Sequence, residues 1–311
     1  MKNILVVGSS NTDMIIKVAC IPRPGETVLG GEFSMLPGGK GANQAVAAAR
    51  AGGRVTFVAR VGEDIFGDRA LRDFEAEGID TRFIVRDDRS ASGIALINVG
   101  ENGQNSISVA SGANALLSPE DIRKAGQAFR EADILLLQLE TPVETVRAAA
   151  EAASTRRIPV ILNPAPALQL DDALMRMIDT ITPNETEAEI LTGIKIGTTE
   201  DARRSADALR ARGPRFAVIT LGEKGCYAAG DHFEGPIPAF EVRAVDTTAA
   251  GDVFNGALAV ALAEKQPPGD ALRFASAAAA LSVTKLGAQP SAPKRADIKA
   301  FLDDVANPPK L

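Results

Sequence analysis

The chain has 311 residues, with 34 Lys and Arg against 40 Asp and Glu, a formal net charge of −6. Apolar residues at 45% and charged residues at 24% are ordinary globular proportions, which excludes wholesale disorder and fibrous architectures and leaves chain enough for a sizeable core. A mildly acidic protein with no basic stripe is not built for nucleic acid or an anionic membrane.

Two cysteines, Cys20 and Cys226, offer neither a disulfide framework nor a CxxC metal cluster. One histidine, His232, leaves acid–base work to carboxylates. The apolar run at 4–7 is too short for a signal peptide and no later stretch approaches a membrane span, so a soluble, cytoplasmic protein is expected.

In chain order, short apolar runs predict strands at 4–7, 55–61, 134–139, 160–162, 180–182 and 217–220. Helical patterns lie between them at 43–51, 68–77, 119–130, 143–156, 185–191 and 200–212. That alternation predicts an α/β fold, a mostly parallel central sheet with helices on both faces. Helices at 251–264 and 269–283 are apolar nearly all round, as buried helices are. The Pro-rich tail after Asn307 reads as a frayed terminus.

Two stretches break the rhythm. Residues 14–19 and 27–35 form one strand pair. Residues 94–99 and 105–109 form another around Gly100-Glu101-Asn102-Gly103, where Asn-Gly is a hairpin signal. Strict alternation over 106–109 predicts one covered and one open face. Together they predict a small antiparallel β lid, from about 14–36 and 93–110, inserted in a single domain spanning 1–311.

Ligands of open α/β sheets gather at the carboxyl ends of the strands, where this chain repeatedly places unusual polar residues. Asn11 and Asp13, two apart in extended chain, share a face and suit paired sugar hydroxyls, although turn chemistry also explains them. Pro37-Gly38-Gly39-Lys40-Gly41-Ala42-Asn43 allows close backbone approach, with Asn43 as a helix N-cap; a hinge is the alternative. It matches neither a Walker loop nor GxGxxG. Glu140 follows an apolar strand, where a solvated loop charge is the common case. Asn184 and Glu187 have the spacing of a capping box, a role compatible with facing metal-bound phosphate.

The segment Asp246-Thr247-Thr248-Ala249-Ala250-Gly251-Asp252 is the sharpest. With Thr248 as N-cap, Gly251 and Asp252 fall in the first turn of an apolar helix. Small residues there leave backbone amides uncovered at the positive end of the helix dipole, an anion hole for a transferring phosphoryl group. Asp252, ionised beside it, could take a proton from an attacking hydroxyl. An acidic first turn that only complements the dipole is the alternative. His232 and Cys226, in a short β-like run over 226–234, are assigned no role.

Five segments in order resemble the ribokinase-like sugar kinases over nearly the whole chain: Gly38-Gly39-Lys40-Gly41-Ala42-Asn43-Gln44-Ala45, Asn163-Pro164-Ala165-Pro166, Thr182-Pro183-Asn184-Glu185-Thr186-Glu187, the segment ending in Asp252, and Gly287-Ala288-Gln289-Pro290-Ser291. The resemblance implies a three-layer sandwich with a β lid, and transfer of the γ-phosphoryl of ATP to the 5-hydroxyl of D-ribose. It implies that Asn11, Asp13, Gly39, Lys40, Asn43, Glu140 and Asp252 hold the sugar. Asp252 would be the base, and Ala249, Ala250 and Gly251 the anion hole. Asn184, Thr220, Gly222, Gly225, Gly251 and Ser276 would line the nucleotide, with Glu187 on Mg2+ through water. Asp246, Thr248, Ser282, Lys285, Gly287 and Ser291 would surround an activating K+.

A homodimer through paired lids is implied as well. Ser276 departs from the pattern, since a bulkier side chain can pack on adenine at that place. Other readings are a family member acting on deoxyribose, fructose, a nucleoside or a sugar acid, and a non-catalytic sugar-binding regulator. A nicotinamide-dependent dehydrogenase is not supported by the glycine pattern.

Overall fold

The computed structural model describes residues 1–29 and 31–306; the tail beyond Asn307 lies outside the described residues, as does Gly30 within the expected strand 27–35. The first half comprises β1 (Asn3–Val7), β2 (Asn11–Val18), β3 (Glu32–Gly38), α1 (Lys40–Arg50), β4 (Arg54–Gly62), α2 (Ile65–Ala76), β5 (Asp80–Asp87), β6 (Gly93–Gly100) and β7 (Asn105–Ala110). Next come α3 (Pro119–Lys124), α4 (Gly126–Glu131), β8 (Ile134–Leu137), α5 (Val143–Ser154), β9 (Val160–Leu162), α6 (Asp172–Met175), β10 (Thr180–Ile181), α7 (Glu185–Thr192) and α8 (Thr199–Ala211). The chain continues through β11 (Phe216–Thr220), β12 (Cys226–Gly230), β13 (Phe233–Ile237), α9 (Ala250–Ala263), α10 (Pro268–Ser282) and α11 (Arg295–Ala306).

Nine strands form the main sheet in the order β13-β12-β11-β10-β9-β8-β1-β4-β5, parallel from β11 to β5 and antiparallel in the β11-β12-β13 corner. Alternate side chains serve two cores. Ile4, Val6, Ile134 and Leu136 join α1, α9 and α10 on one face. Leu5, Val7, Leu135 and Leu137 join α3 to α8 on the other. Because β1 lies between β8 and β4, the strand order reverses there, and the crevice at the carboxyl ends of β1 and β8 is the topological switch point.

A second sheet, β3-β2-β6-β7, stands apart; its outer pairs are antiparallel and its central β2–β6 pair is parallel. The Asn102-Gly103 hairpin forms as expected, with Gly103 at φ 80. The covered face expected for 106–109 does not: every residue of β7 is exposed.

Several boundaries differ for definite reasons. The apolar run 134–139 leaves the sheet at Leu137. The expected helix 119–130 is two, α3 and α4, broken at Ala125, and the run 226–234 is the β12–β13 hairpin. Strand β5, whose apolar centre is flanked by charged residues, and helices α6 and α11 carry no strong periodic signal and went unpredicted. Helix α1 begins at Lys40, so its N-cap is Gly39 at φ 88, and Asn43 lies inside the helix. The N-cap of α9 is likewise Ala249 and not Thr248.

Candidate active site

The glycine loop is packed tightly against its neighbours. A Cβ on Gly39 would lie 2.6 Å from the amide nitrogen of Asn11, and one on Gly38 would lie 2.3 Å from the Asp13 carboxylate. The loop therefore sits flat against the β1–β2 turn and delivers Lys40, Asn43 and Gln44 to the switch point. Gly39 supplies no side-chain cap for α1. Glu140 does that work: its Oε2 accepts from the Lys40 amide at 2.9 Å and from the Ser9 hydroxyl at 2.6 Å, an anion at a helix N-terminus. Glu140 is thus no solvated loop charge.

Asn11 is oriented by Asn114, a buried residue that sequence reasoning missed. Asn114 Nδ2 donates to Asn11 Oδ1 at 2.7 Å while its own Oδ1 accepts from the Ser10 amide at 2.8 Å. This leaves Asn11 Nδ2 as the donor available to a ligand. Asp13, beside it on β2, accepts no hydrogen bond among the described residues. Its pKa is raised to about 6 by burial and by the nearby charges of Glu140 and Asp252.

Opposite them, Asp252 is buried at the third position of α9. Its Oδ2 accepts from Asn43 Nδ2 at 2.9 Å and its Oδ1 from Gln44 Nε2 at 2.9 Å. Burial pushes its pKa above the ordinary carboxylate value, as does Glu140; Lys40, Asn43 and Gln44 oppose the rise. Lys40 behaves in the reverse sense: burial pulls it down, and Asp252, Glu140 and Glu187 more than restore it. Asn43 Oδ1 is buried and has no partner, so it is placed to accept from a ligand hydroxyl.

The start of α9 has no side-chain cap, and Ala249 holds the left-handed conformation at φ 60, ψ 14. That backbone costs a residue bearing a Cβ roughly 1–2 kcal/mol. Where such strain persists in a site it marks geometry the surroundings impose. A Cβ on Gly251 would meet nothing within 4 Å, so the first-turn amides open onto free space. Asn255, which sequence reasoning also missed, braces this turn: its Nδ2 donates to the Gly251 carbonyl at 2.8 Å and its Oδ1 accepts from the Thr182 hydroxyl at 2.6 Å.

That free space is the end of a cleft of about 620 Å3, lined by Thr220, Gly222, Gly225, Ala250, Gly251 and Ser276 among others. The expected nucleotide residues thus converge, apart from Asn184, which stands outside the lining and is tied to Thr220 by a β-bridge. Asn184 and Glu187 do form the reciprocal capping box of α7. Glu187 Oε1 and Oε2 each accept one hydrogen bond from Asn184, at 2.9 Å, and burial raises its pKa.

Of the residues expected around a monovalent cation, Asp246, Thr248 and Gly287 come together, the Asp246 carboxylate accepting from the amides of Thr248 (2.9 Å) and Gly287 (2.8 Å). Asp246 N bonds to the Val283 carbonyl, which brings the turn Ser282–Lys285 alongside. Ser291 is buried further on, its hydroxyl donating to Ala288 O at 2.7 Å. Cys226 is buried beneath Ser276, its thiol pushed up to about 12 by burial, and His232 lies exposed in the β12–β13 turn. Neither lines the cleft.

A helix mouth without a cap, a carboxylate at its third residue and polar groups suited to hydroxyls on one flank define a phosphotransferase of the sugar-kinase class. The model of the pfkB family of carbohydrate kinases matches residues 1–295, and the chain belongs to that family. It is 45% identical to the ribokinase of Haemophilus influenzae over 97% of this chain and 99% of that one. It is 40% identical to the deoxyribokinase of Salmonella typhi over 96% of this chain and 98% of that one. The structure of Arabidopsis thaliana ribokinase complexed with ribose and ATP superposes with a TM-score of 0.88 at 33% identity, covering 97% of this chain and 99% of that one. The chain is a carbohydrate kinase.

Proposed function

We propose that the protein transfers the γ-phosphoryl of ATP to the 5-hydroxyl of D-ribose. The observation that carries this reading is the uncapped first turn of α9, open to the cleft on one side and carrying Asp252 among sugar-suited groups on the other. Phosphoryl transfer needs positioning and charge neutralisation more than covalent chemistry, which suits a site without a histidine nucleophile. Asn11, Asp13, Gly39, Lys40, Asn43 and Glu140 hold the sugar. Asp252 accepts the proton of the attacking hydroxyl. The amides of Ala249, Ala250 and Gly251 receive the charge that builds on the phosphoryl oxygens. Thr220, Gly222, Gly225, Gly251 and Ser276 line the nucleotide, with Asn184 bridged to Thr220 at the edge of the cleft.

Glu187 suits Mg2+ held through water, because each of its carboxylate oxygens spends one lone pair on Asn184 and keeps another. A bound Mg2+ would neutralise charge on the β- and γ-phosphates. Asp246 keeps lone pairs in the same way, and with oxygens of Thr248, Ser282, Lys285, Gly287 and Ser291 it makes a donor set for K+. A bound K+ would steady the 246–248 and 285–291 loops beside the helix mouth.

We read the chain as one kinase domain with the lid inserted, acting in the cytoplasm as a homodimer. No helix among the described residues is long and apolar enough to cross a membrane. The strand register puts Ile15, Ile97, Ile107 and Val109 on the same lid face as Asp13, with Ile107 54% and Val109 56% exposed. A second lid would cover this face and shield the sugar from water.

The similarity to a deoxyribokinase favours one second reading, 2-deoxyribose as acceptor. A panel of sugars assayed for ADP release with and without Mg2+ and K+ decides between them. Ribose-dependent release is expected. Preference for deoxyribose moves the acceptor, and silence with every sugar defeats the kinase reading of the site.

A further inference from the structure

Gln44 lies within α1 with none of its surface exposed. A buried primary amide is costly unless both its ends are satisfied, and here both are. Its Nε2 donates to Asp252 Oδ1 at 2.9 Å and to Asn163 Oδ1 at 3.1 Å, and its Oε1 accepts from Gln138 Nε2 at 2.6 Å.

The polarity of this chain of amides is not free. Asn163 Nδ2 donates to the main-chain carbonyl of Thr182 at 3.1 Å, and a carbonyl can only accept. Asn163 must therefore turn its oxygen toward Gln44. Gln44 must turn its NH2 group toward Asn163, and the second hydrogen of that group then points at Asp252. A backbone carbonyl several bonds away thus decides that Asp252 meets a donor.

Asn43 and Gln44, consecutive in α1, pin the two oxygens of one carboxylate. They differ in what they have left. Asn43 keeps an unpartnered Oδ1 for a ligand, whereas Gln44 is saturated by the protein and has nothing to offer one.

We infer that Gln44 is a positioning residue for the reaction base: it fixes the rotamer of Asp252 and holds its Oδ1 on a donor of set polarity. The inference rests on the reading of Asp252 as base. The charged groups facing Asp252 are Lys40 from α1, Glu140 following β8, Asp13 from β2 and Glu187 from α7. Gln44 adds no charge to this group, so its effect is one of geometry and of which protonation state the carboxylate holds.

Gln44→Glu puts an acceptor where the donor stood, and Gln44→Met keeps the volume while removing the hydrogen bonds. Both are measured as full-length protein, with folding checked by circular dichroism. In Gln44→Glu the acid limb of the kcat/KM profile moves up by one pH unit or more. Turnover at pH 7 falls at least tenfold, and KM for ATP stays within twofold because the cleft lies across the helix mouth. Gln44→Met loses turnover with the acid limb displaced in the same direction, and it carries the test where Gln44→Glu does not fold. A folded variant with the parent's turnover and an unmoved acid limb overturns the inference.

Asp252→Asn, run in parallel, separates the two claims. Near-native turnover there defeats the base itself. A dead Asp252→Asn beside Gln44 variants with the parental profile defeats Gln44 alone.

Discussion

The two flanks of the α9 mouth are built in opposite ways. On the flank we assign to the sugar, Asn11, Glu140 and Asp252 are each tied to buried neighbours, Asn114, Ser9 and Gln44, by hydrogen bonds of 2.6–2.9 Å. On the flank we assign to the nucleotide an open cleft is walled largely by Ala239, Phe240, Val242, Ala279, Ala280 and Val283. Buried polar groups of set polarity discriminate, since a wrong ligand leaves them unpaired at about 1–3 kcal/mol each. An apolar wall binds by area and tolerates changes of shape. Precision is concentrated where the acceptor hydroxyl must be aimed.

Four substitutions would break or sharpen that contrast. Asp252→Asn should leave the fold and ligand binding in place while kcat falls by about 10²-fold or more, the usual worth of a general base, measured by coupled ADP release.

Asp13→Asn should raise KM for ribose about tenfold or more, the loss of a charge-assisted hydrogen bond. Its stability should move the other way. The folded pKa of about 6 lies above the ordinary value of 3.8, so ionising Asp13 penalises the folded state, fully above the folded pKa and not at all below the unfolded one. The variant should therefore be more stable by about 1–3 kcal/mol at pH 8, with no gain at pH 3.5, as read by urea unfolding. In the parent, ribose affinity should weaken as pH falls through 6.

Gly251→Ala should place a methyl over the open amides and lower kcat roughly tenfold. It should also stabilise the helix by up to about 1 kcal/mol, since glycine is the poorer helix former. Smallest is Ser276→His on the tolerant flank: a π-face for the base should lower KM for ATP about fivefold, with KM for ribose unchanged. Equal sensitivity of both flanks to such changes would erase the contrast.

The βα rhythm was legible because burial on both faces of a parallel sheet writes apolar runs directly into the chain, and β9 spans 160–162 as expected. Strand β5 was not, its apolar centre being set among Arg82, Arg86 and Asp87. Asn43 as a cap was a sound local inference overruled by a long-range one, since Glu140 caps the helix from 100 residues away. Gln44 had a signal that went unused: a glutamine within a buried Ala/Val helix must find partners inside. Asn114 and Asn255 had weaker signals, each being one amide with a partner on another element.

By itself the amino-acid order settles the layered α/β architecture and the run of small residues that leaves a helix mouth bare. These follow from periodicity and composition, which act locally. Which amide meets which carboxylate, which helix lacks a cap of its own and which lid face stays uncovered were decided only when distant segments met. Hydrogen-bond polarity and desolvation depend on neighbours in space, and spacing along the chain does not carry them.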